Sequence, residues 1–224
     1  MTKTVESIHN MVDSAILKES AEKSARSYMG ASGLGEECDR ALWCSYHHPT
    51  VIDKAIVHRK FAVGHALEPV VLSWLEKAGF KLWTVDSNGE QFGFTDGVIA
   101  GHVDAIIKGV PGDEETPYLG EVKTANQFNF KSFQKNGIKH NSKYLVQVHV
   151  YMHKLKLKKC LFIVVNKDSQ ELYFEIIEID EFIAVTALQR GFNIAEMKEE
   201  PERRYPNKSY FKCKFCSYYS RCWK

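Results

Sequence analysis

No apolar run in the chain approaches the roughly 18 residues that a bilayer crossing requires, so a membrane span is not expected. The opening stretch, MTKTVESIHNMVDSAILKES, interleaves acids and lysines with short apolar runs and lacks the continuous apolar core of a secretory signal. The chain is therefore read as intracellular and cytoplasmic. Proline is scarce, and no Pro/Gly/Ser tract is long enough to act as a linker; internal repeats and low-complexity segments are also missing. One domain over residues 1–224 is expected, with a helical extension at 1–29 and a cysteine-rich end at 200–224. There is no G-x-x-x-x-G-K-[ST] loop, so a P-loop nucleotide-driven motor is not expected in this chain. Acids are missing from residues 122–167 altogether, a segment that holds ten lysines. The net charge of +2 thus conceals one strongly basic stretch, which can attract a polyanion through counterion release or can be only a solvated face.

What is present organises into elements. Ile8, Met11, Val12, Ala15 and Ile16 have helical spacing within residues 5–25. After a glycine-rich break at 30–35, residues 38–46 can open a second helix. Residues 56–78 read as a long helix, with Pro69 as a kink and Gly79 as a stop. Short β-like runs follow at 80–85, 91–94, 97–108 and 118–123, then helices at 126–136 and 142–157. Strands at 160–166 and 171–179 precede a last helix at about 180–199. This order predicts a mixed α/β (α+β) domain built around one sheet, rather than a doubly wound nucleotide-binding fold.

Chemistry concentrates in GHVDAIIKGVPGDEETPYLGEVKTAN. Asp104 lies in one strand-like run, and Glu121 and Lys123 lie two residues apart in the next. Positions i and i+2 of a strand share a face, so Glu121 and Lys123 emerge together while Val122 points back into the core. If the two runs pair, Asp104 approaches Glu121. Two carboxylates in one space repel unless a cation lies between them, and hard oxygen ligands suit Mg²⁺ or Mn²⁺. Beside such an ion Lys123 can orient a water or stabilise developing negative charge. The plain alternative is a surface Glu–Lys pair and an unrelated turn aspartate. Asp96, just before Gly97, is read as a turn residue.

In sequence order, VGHALEP, GHVD, EVK and the Gln147/Tyr151 pair resemble the PD-(D/E)xK nuclease superfamily, and within it the RecB-like branch. The resemblance covers the chain from about residue 30 to its end. It implies a restriction-endonuclease-like core, a central mixed sheet flanked by helices. It further implies a nuclease that cuts DNA phosphodiester bonds from ends or on single strands with Mg²⁺ or Mn²⁺. Glu68, Asp104 and Glu121 take the ligand positions, with the Val122 carbonyl alongside, and Lys123 completes the catalytic set. Many RecB-like members carry His at the first position. Here Glu stands there, as in related phage exonucleases, and His65 is the lesser candidate. Gln147 and Tyr151 match the Q-x-x-x-Y signature of a helix that contacts DNA near the metal. As an i, i+4 pair they share a helical face, which Lys143 and Lys154 extend in either direction. Together with Lys131 and Lys135, these lysines are the candidate DNA contacts.

Six cysteines in an intracellular chain are not expected to form disulfides. Cys160 sits in an apolar strand-like run and reads as a buried thiol. Cys213, Cys216 and Cys222 form C-x₂-C-x₅-C, a metal-site pattern that needs one distant ligand. Cys38 is the candidate, and Cys44 competes with it. The set resembles the iron–sulfur subset of RecB-like nucleases, including the AddB nuclease domain and CRISPR-associated members; Ser32, Leu34 and Cys38 approximate the approach to its first cysteine. That resemblance implies a [4Fe–4S] cluster clasping the two ends of the domain, and structural Zn²⁺ stays open. DNA is the expected partner, with a helicase, recombinase or annealing protein beside it. Two other readings compete with the nuclease: a DNA-binding adaptor subunit, and a redox-sensing iron–sulfur protein.

Overall fold

A computed structural model of the chain describes residues 2–22, 26–49 and 54–224. Its centre is a five-stranded mixed sheet in the order β2 (Lys81–Trp83), β5 (Ala105–Lys108), β6 (Tyr118–Ala125), β7 (Lys159–Asn166), β8 (Leu172–Glu178). The β6–β7 pair is parallel and the other pairs are antiparallel. A parallel pair needs a crossover, supplied here by helices α4 (Gln127–Asn136) and α5 (Ser142–Leu155). Both helices start on asparagine caps: Asn126 accepts from the Asn129 N–H at 2.9 Å, and Asn141 from the Tyr144 N–H at 3.2 Å.

The two sheet faces are covered differently. Odd-numbered residues of β6, including Leu119, face the helical layer of α4, α5 and α6 (Glu181–Glu196), where Phe130, Phe133, Val148 and Met152 are buried. Even-numbered residues, including Val122, face α3 (Ala55–Lys77) through Val71, Leu72 and Leu75. Each such apolar side chain contributes about 1.5–3 kcal/mol on burial. Pro69 lies inside α3, as expected. Gly79, at φ +97°, closes that helix in a Schellman turn: its own N–H donates to Glu76 O, and the Phe80 N–H to Leu75 O. Helix α1 (Lys3–Ala21) forms but buries none of its residues; Ile8, Met11 and Val12 are exposed.

The expected mixed sheet flanked by helices is the fold observed. It departs from the single sheet expected: the strand near 91–94 lies outside the central sheet, and the run 97–108 does not stay in one sheet. That run splits into β4 (Ile99–His102) and β5, and β4 joins a separate three-stranded sheet in the order β1 (Met29–Gly30), β4, β3 (Gly93–Asp96). Asp104 therefore sits in the break between two sheets, not inside a strand. The N-terminal end of α2 (Asp39–His47), just after Cys38, is the landing place of the chain's last segment, as described below.

Candidate active site

Beyond the first residue of β5, its partner β6 continues unpaired on that side. Their ladder runs to Ala105–Gly120, so Asp104 stands at the next register position, opposite Glu121. Released from the ladder on that side, the Val122 N–H donates to Asp104 Oδ2 at 2.8 Å. Glu121 is only 1% exposed. Its Oε1 accepts from the Lys123 ammonium and, at 2.8 Å, from Gln147 Nε2. Its Oε2 is buried with no hydrogen-bond partner. A buried carboxylate oxygen left bare is costly and marks a place where a further positive or donating group fits.

The charges are held under tension. Burial pushes the Glu121 carboxyl up to about 8 against the pull of Lys123, and Asp104 and Glu68 add to the rise. Asp104 is raised by burial, opposed by Lys123, by the Val122 N–H and by His65. Glu68 is raised to about 7, first by burial and then by the Asp104 charge. Lys123, although desolvated, is held above its ordinary value by Glu121 and Asp104, and its ammonium lies 5.1 Å from the centre of the Tyr144 ring. Three carboxyl groups that resist ionisation around one lysine form a donor set of hard oxygens suited to a small divalent cation. Among the described residues, no three His, Cys, Asp or Glu side chains already stand in a metal-holding group. The structure brings the predicted Glu68, Asp104, Glu121 and Lys123 into one electrostatic neighbourhood, with exposed His65 at its margin.

Gln147 and Tyr151 also converge here, on a face that is buried rather than continuous with the polar, basic stripe expected. The whole stretch Gln147 to Met152 is buried, because α5 is enclosed by the sheet, α6 and the three-stranded sheet. Tyr151 packs edge-on to Phe94 at 6.1 Å, and burial together with the Glu121 charge raises its phenol. Gly101 of the G-H-V-D run is what admits that ring. A Cβ at residue 101 would lie 2.5 Å from Tyr151 Cε1 and 3.1 Å from its hydroxyl. Gly101→Ala is therefore expected to cost about 1–3 kcal/mol of stability by overpacking. Urea unfolding checks this, and an unchanged midpoint would show that the ring swings clear.

The lysines divide. Lys143 pairs with Glu36 at 2.6 Å and Lys154 pairs with Asp96, so both ends of the expected basic stripe are neutralised locally. Lys131 and Lys135, on exposed α4 positions, enter no ion pair among the described residues.

At the chain's end, α7 (Phe211–Lys214) and α8 (Tyr219–Cys222) dock beside α2. Lys212 pairs with Glu37 at 2.6 Å, Arg221 with Glu200 at 2.5 Å, and the Trp43 indole donates to Met197 O at 2.9 Å. Cys38, Cys213, Cys216 and Cys222 line one cavity of about 590 Å³, and Cys44 borders it as well. All are free thiols. Burial raises the Cys213 and Cys216 thiols, and nearby Cys38 and Cys222 add smaller contributions to each. Cys160 is buried in β7, as expected. Sequence reasoning missed Arg190, which fixes the loop carrying Cys38. Its guanidinium donates to Leu34 O at 2.9 Å, Glu36 O at 2.7 Å and Asp39 Oδ1 at 2.8 Å.

No family model matches the chain, and no curated protein matches it. Solved structures do share its fold. SSO0001 is 15% identical with a TM-score of 0.55, the match covering 96% of each chain. An alkaline exonuclease, LHK-Exo from Laribacter hongkongensis, is 17% identical with a TM-score of 0.53, over 76% of this chain and 87% of that one. A complex of LHK-Exo with dAMP matches at 16% identity and a TM-score of 0.55, over 83% and 90%. At these identities the likeness is one of fold.

Proposed function

We propose that this protein is a metal-dependent nuclease that hydrolyses DNA phosphodiester bonds from strand ends. The observation that carries the reading is Glu121: a buried carboxylate with one oxygen bound by Lys123 and Gln147, the other bare, and Asp104 at the adjoining register position. The fold likeness to an alkaline exonuclease, one of whose structures holds dAMP, supports it.

Glu121, Asp104 and Glu68 would hold Mg²⁺ or Mn²⁺, with the Val122 carbonyl and His65 as additional donors. Such an ion supplies Lewis-acid polarisation of the phosphoryl group and a bound water of lowered pKa. The chain's own residues do the positioning. Gln147 holds Glu121 Oε1, leaving Oε2 without a protein partner and available to a cation. Lys123, kept protonated by its neighbours, can donate to a phosphate oxygen as negative charge grows there. Tyr151, fitted over Gly101, keeps α5 in register with the site. In the cysteine cavity, Cys38, Cys213, Cys216 and Cys222 would hold a [4Fe–4S] cluster or a Zn²⁺ ion, tying the chain's end to α2. A helicase, recombinase or annealing protein would supply or receive the DNA strand.

End-labelled linear DNA and covalently closed circular DNA, incubated with the purified protein and Mg²⁺ or Mn²⁺, test the reading. Linear DNA is expected to shorten from its ends while closed circles survive. Cutting of both would make the enzyme an endonuclease, and cutting of neither would remove nuclease activity from the account.

A further inference from the structure

Two large aromatic side chains on the helices that flank the site leave most of their surface in solvent. Phe61 is 54% exposed on α3, and Phe128 is 78% exposed in the first turn of α4. Burying a phenylalanine contributes about 1.5–3 kcal/mol, and neither takes that gain in full. Their neighbours on the same helices, Val71 and Phe130, are fully packed.

Both positions lead directly to the carboxylate–lysine centre. On α3, Phe61, His65 and Glu68 follow one another at i, i+4 and i+7, one helical face, with Phe61 about 10 Å from Glu68 along the axis. Phe128 lies five residues beyond Lys123, so their Cα atoms are no more than about 18 Å apart. The two helices meet the end of β6 at one place. A Cβ on Gly64 of α3 would lie 3.9 Å from Thr124 Oγ1, and Thr124 directly precedes the turn into α4. Phe61 is one turn before that crossing and Phe128 one residue into α4 after it. Along α4 the exposed face continues as Phe128, Lys131, Lys135, at i, i+3 and i+7. Both lysines are exposed and outside any ion pair among the described residues.

An exposed aromatic ring followed by regularly spaced free cations is the composition of a single-strand track. Rings stack on unpaired bases of any sequence, and ammonium groups take the phosphates. A duplex keeps its base faces stacked on one another and offers only its end pair. We propose that Phe61 and Phe128 are base-stacking platforms for one unpaired DNA strand at the active site, with Lys131 and Lys135 holding the phosphates of that strand along α4. This rests on the nuclease reading for its substrate. It adds a binding subsite and a reason for preferring unpaired ends.

The test is binding of an end-labelled oligothymidylate, with chelator present to block cleavage, compared with an abasic strand of equal length and with blunt duplex. Phe61→Ala and Phe128→Ala, both at exposed positions, are expected to weaken oligothymidylate binding about 5- to 150-fold each, the value of stacking one base. Binding of the abasic strand should be unchanged. Lys131→Gln with Lys135→Gln should instead weaken both strands, and should reduce the slope of log K against log salt by about one per lysine. Wild-type affinity for oligothymidylate in both phenylalanine variants would overturn the proposal, as would equal losses on the abasic strand. The nuclease reading fails separately, through absence of cleavage by the wild-type protein with Mg²⁺ or Mn²⁺. Base-dependent binding lost in the variants would then leave the platforms standing on a DNA-binding protein.

Discussion

Glu121→Gln is expected to abolish DNA cleavage, by about 10²-fold or more, while making the metal-free protein more stable at neutral pH. The activity loss follows because glutamine keeps an acceptor for Lys123 and Gln147 but cannot offer a charged oxygen to a metal ion. The stability gain follows from the direction of the carboxyl shift. In the folded protein Glu121 titrates at about 8 instead of its ordinary 4.5. Between those values the native state retains a proton that the unfolded chain releases, so stability is present at low pH and falls as pH rises through the window. Glu68, raised from 4.5 to about 7, acts in the same sense over its own narrower range. Thermal midpoints of metal-free wild type should therefore fall from pH 4.5 towards pH 8, and Glu121→Gln should flatten that fall. A variant that keeps the wild-type slope would mean that Glu121 ionises freely in its pocket. A variant that keeps cleavage would remove Glu121 from the site.

Replacing any of Cys38, Cys213, Cys216 or Cys222 by Ser is expected to release bound iron or zinc and to lower stability steeply. Metal-binding free energy is also folding free energy, on the order of 10 kcal/mol for structural zinc. Even a loss of about 3 kcal/mol would shift the thermal midpoint of a chain this size by roughly 10 °C. Cys160→Ser should retain the metal, because that thiol is sealed in β7 away from the cavity. Cys44→Ser should retain it too, since Cys44 is buried within α2, whereas Cys38 stands partly exposed just before that helix. Iron, zinc and acid-labile sulfide per chain are the measurement. Iron with equal sulfide identifies a cluster, and zinc without sulfide identifies a single ion. Metal lost from Cys44→Ser and kept by Cys38→Ser would exchange the upstream ligand. Anaerobically purified protein with neither metal, all four thiols free, would end the clasp.

Period and punctuation made most of the elements legible. The i, i+2 spacing of Glu121 and Lys123 fixed their common face, and Gly79 marked the end of α3. Long-range pairing was not legible. β4 leaves the main sheet to pair with β3 over four residues and, on its other edge, with Met29 and Gly30. No local pattern announces such a short parallel partner, so the 97–108 run looked continuous. Ion pairing was invisible for the same reason. Lys143 and Lys154 have the spacing of a DNA-facing stripe, yet Glu36 and Asp96 reach them from distant parts of the chain. The 3.6-residue period placed Gln147 and Tyr151 on one face, but did not show that the middle of α5, Gln147 to Met152, would be buried all round. Phe128, Lys131 and Lys135 carry a readable i, i+3, i+7 signal. Two buried neighbours, Phe130 and Phe133, mask it as part of a core-facing helix.

The carboxylate–lysine site can be tested without any nucleic acid. Mn²⁺ binding to the purified, chelator-stripped protein, followed by loss of the free-ion paramagnetic resonance signal, asks directly whether these carboxylates hold a divalent cation. Tight binding that competes with Mg²⁺, is suppressed as pH falls below about 7 where Glu68 and Glu121 take up protons, and disappears in both Asp104→Ala and Glu121→Gln is the result this structure predicts. No saturable Mn²⁺ binding, or binding left intact in both variants, would contradict it.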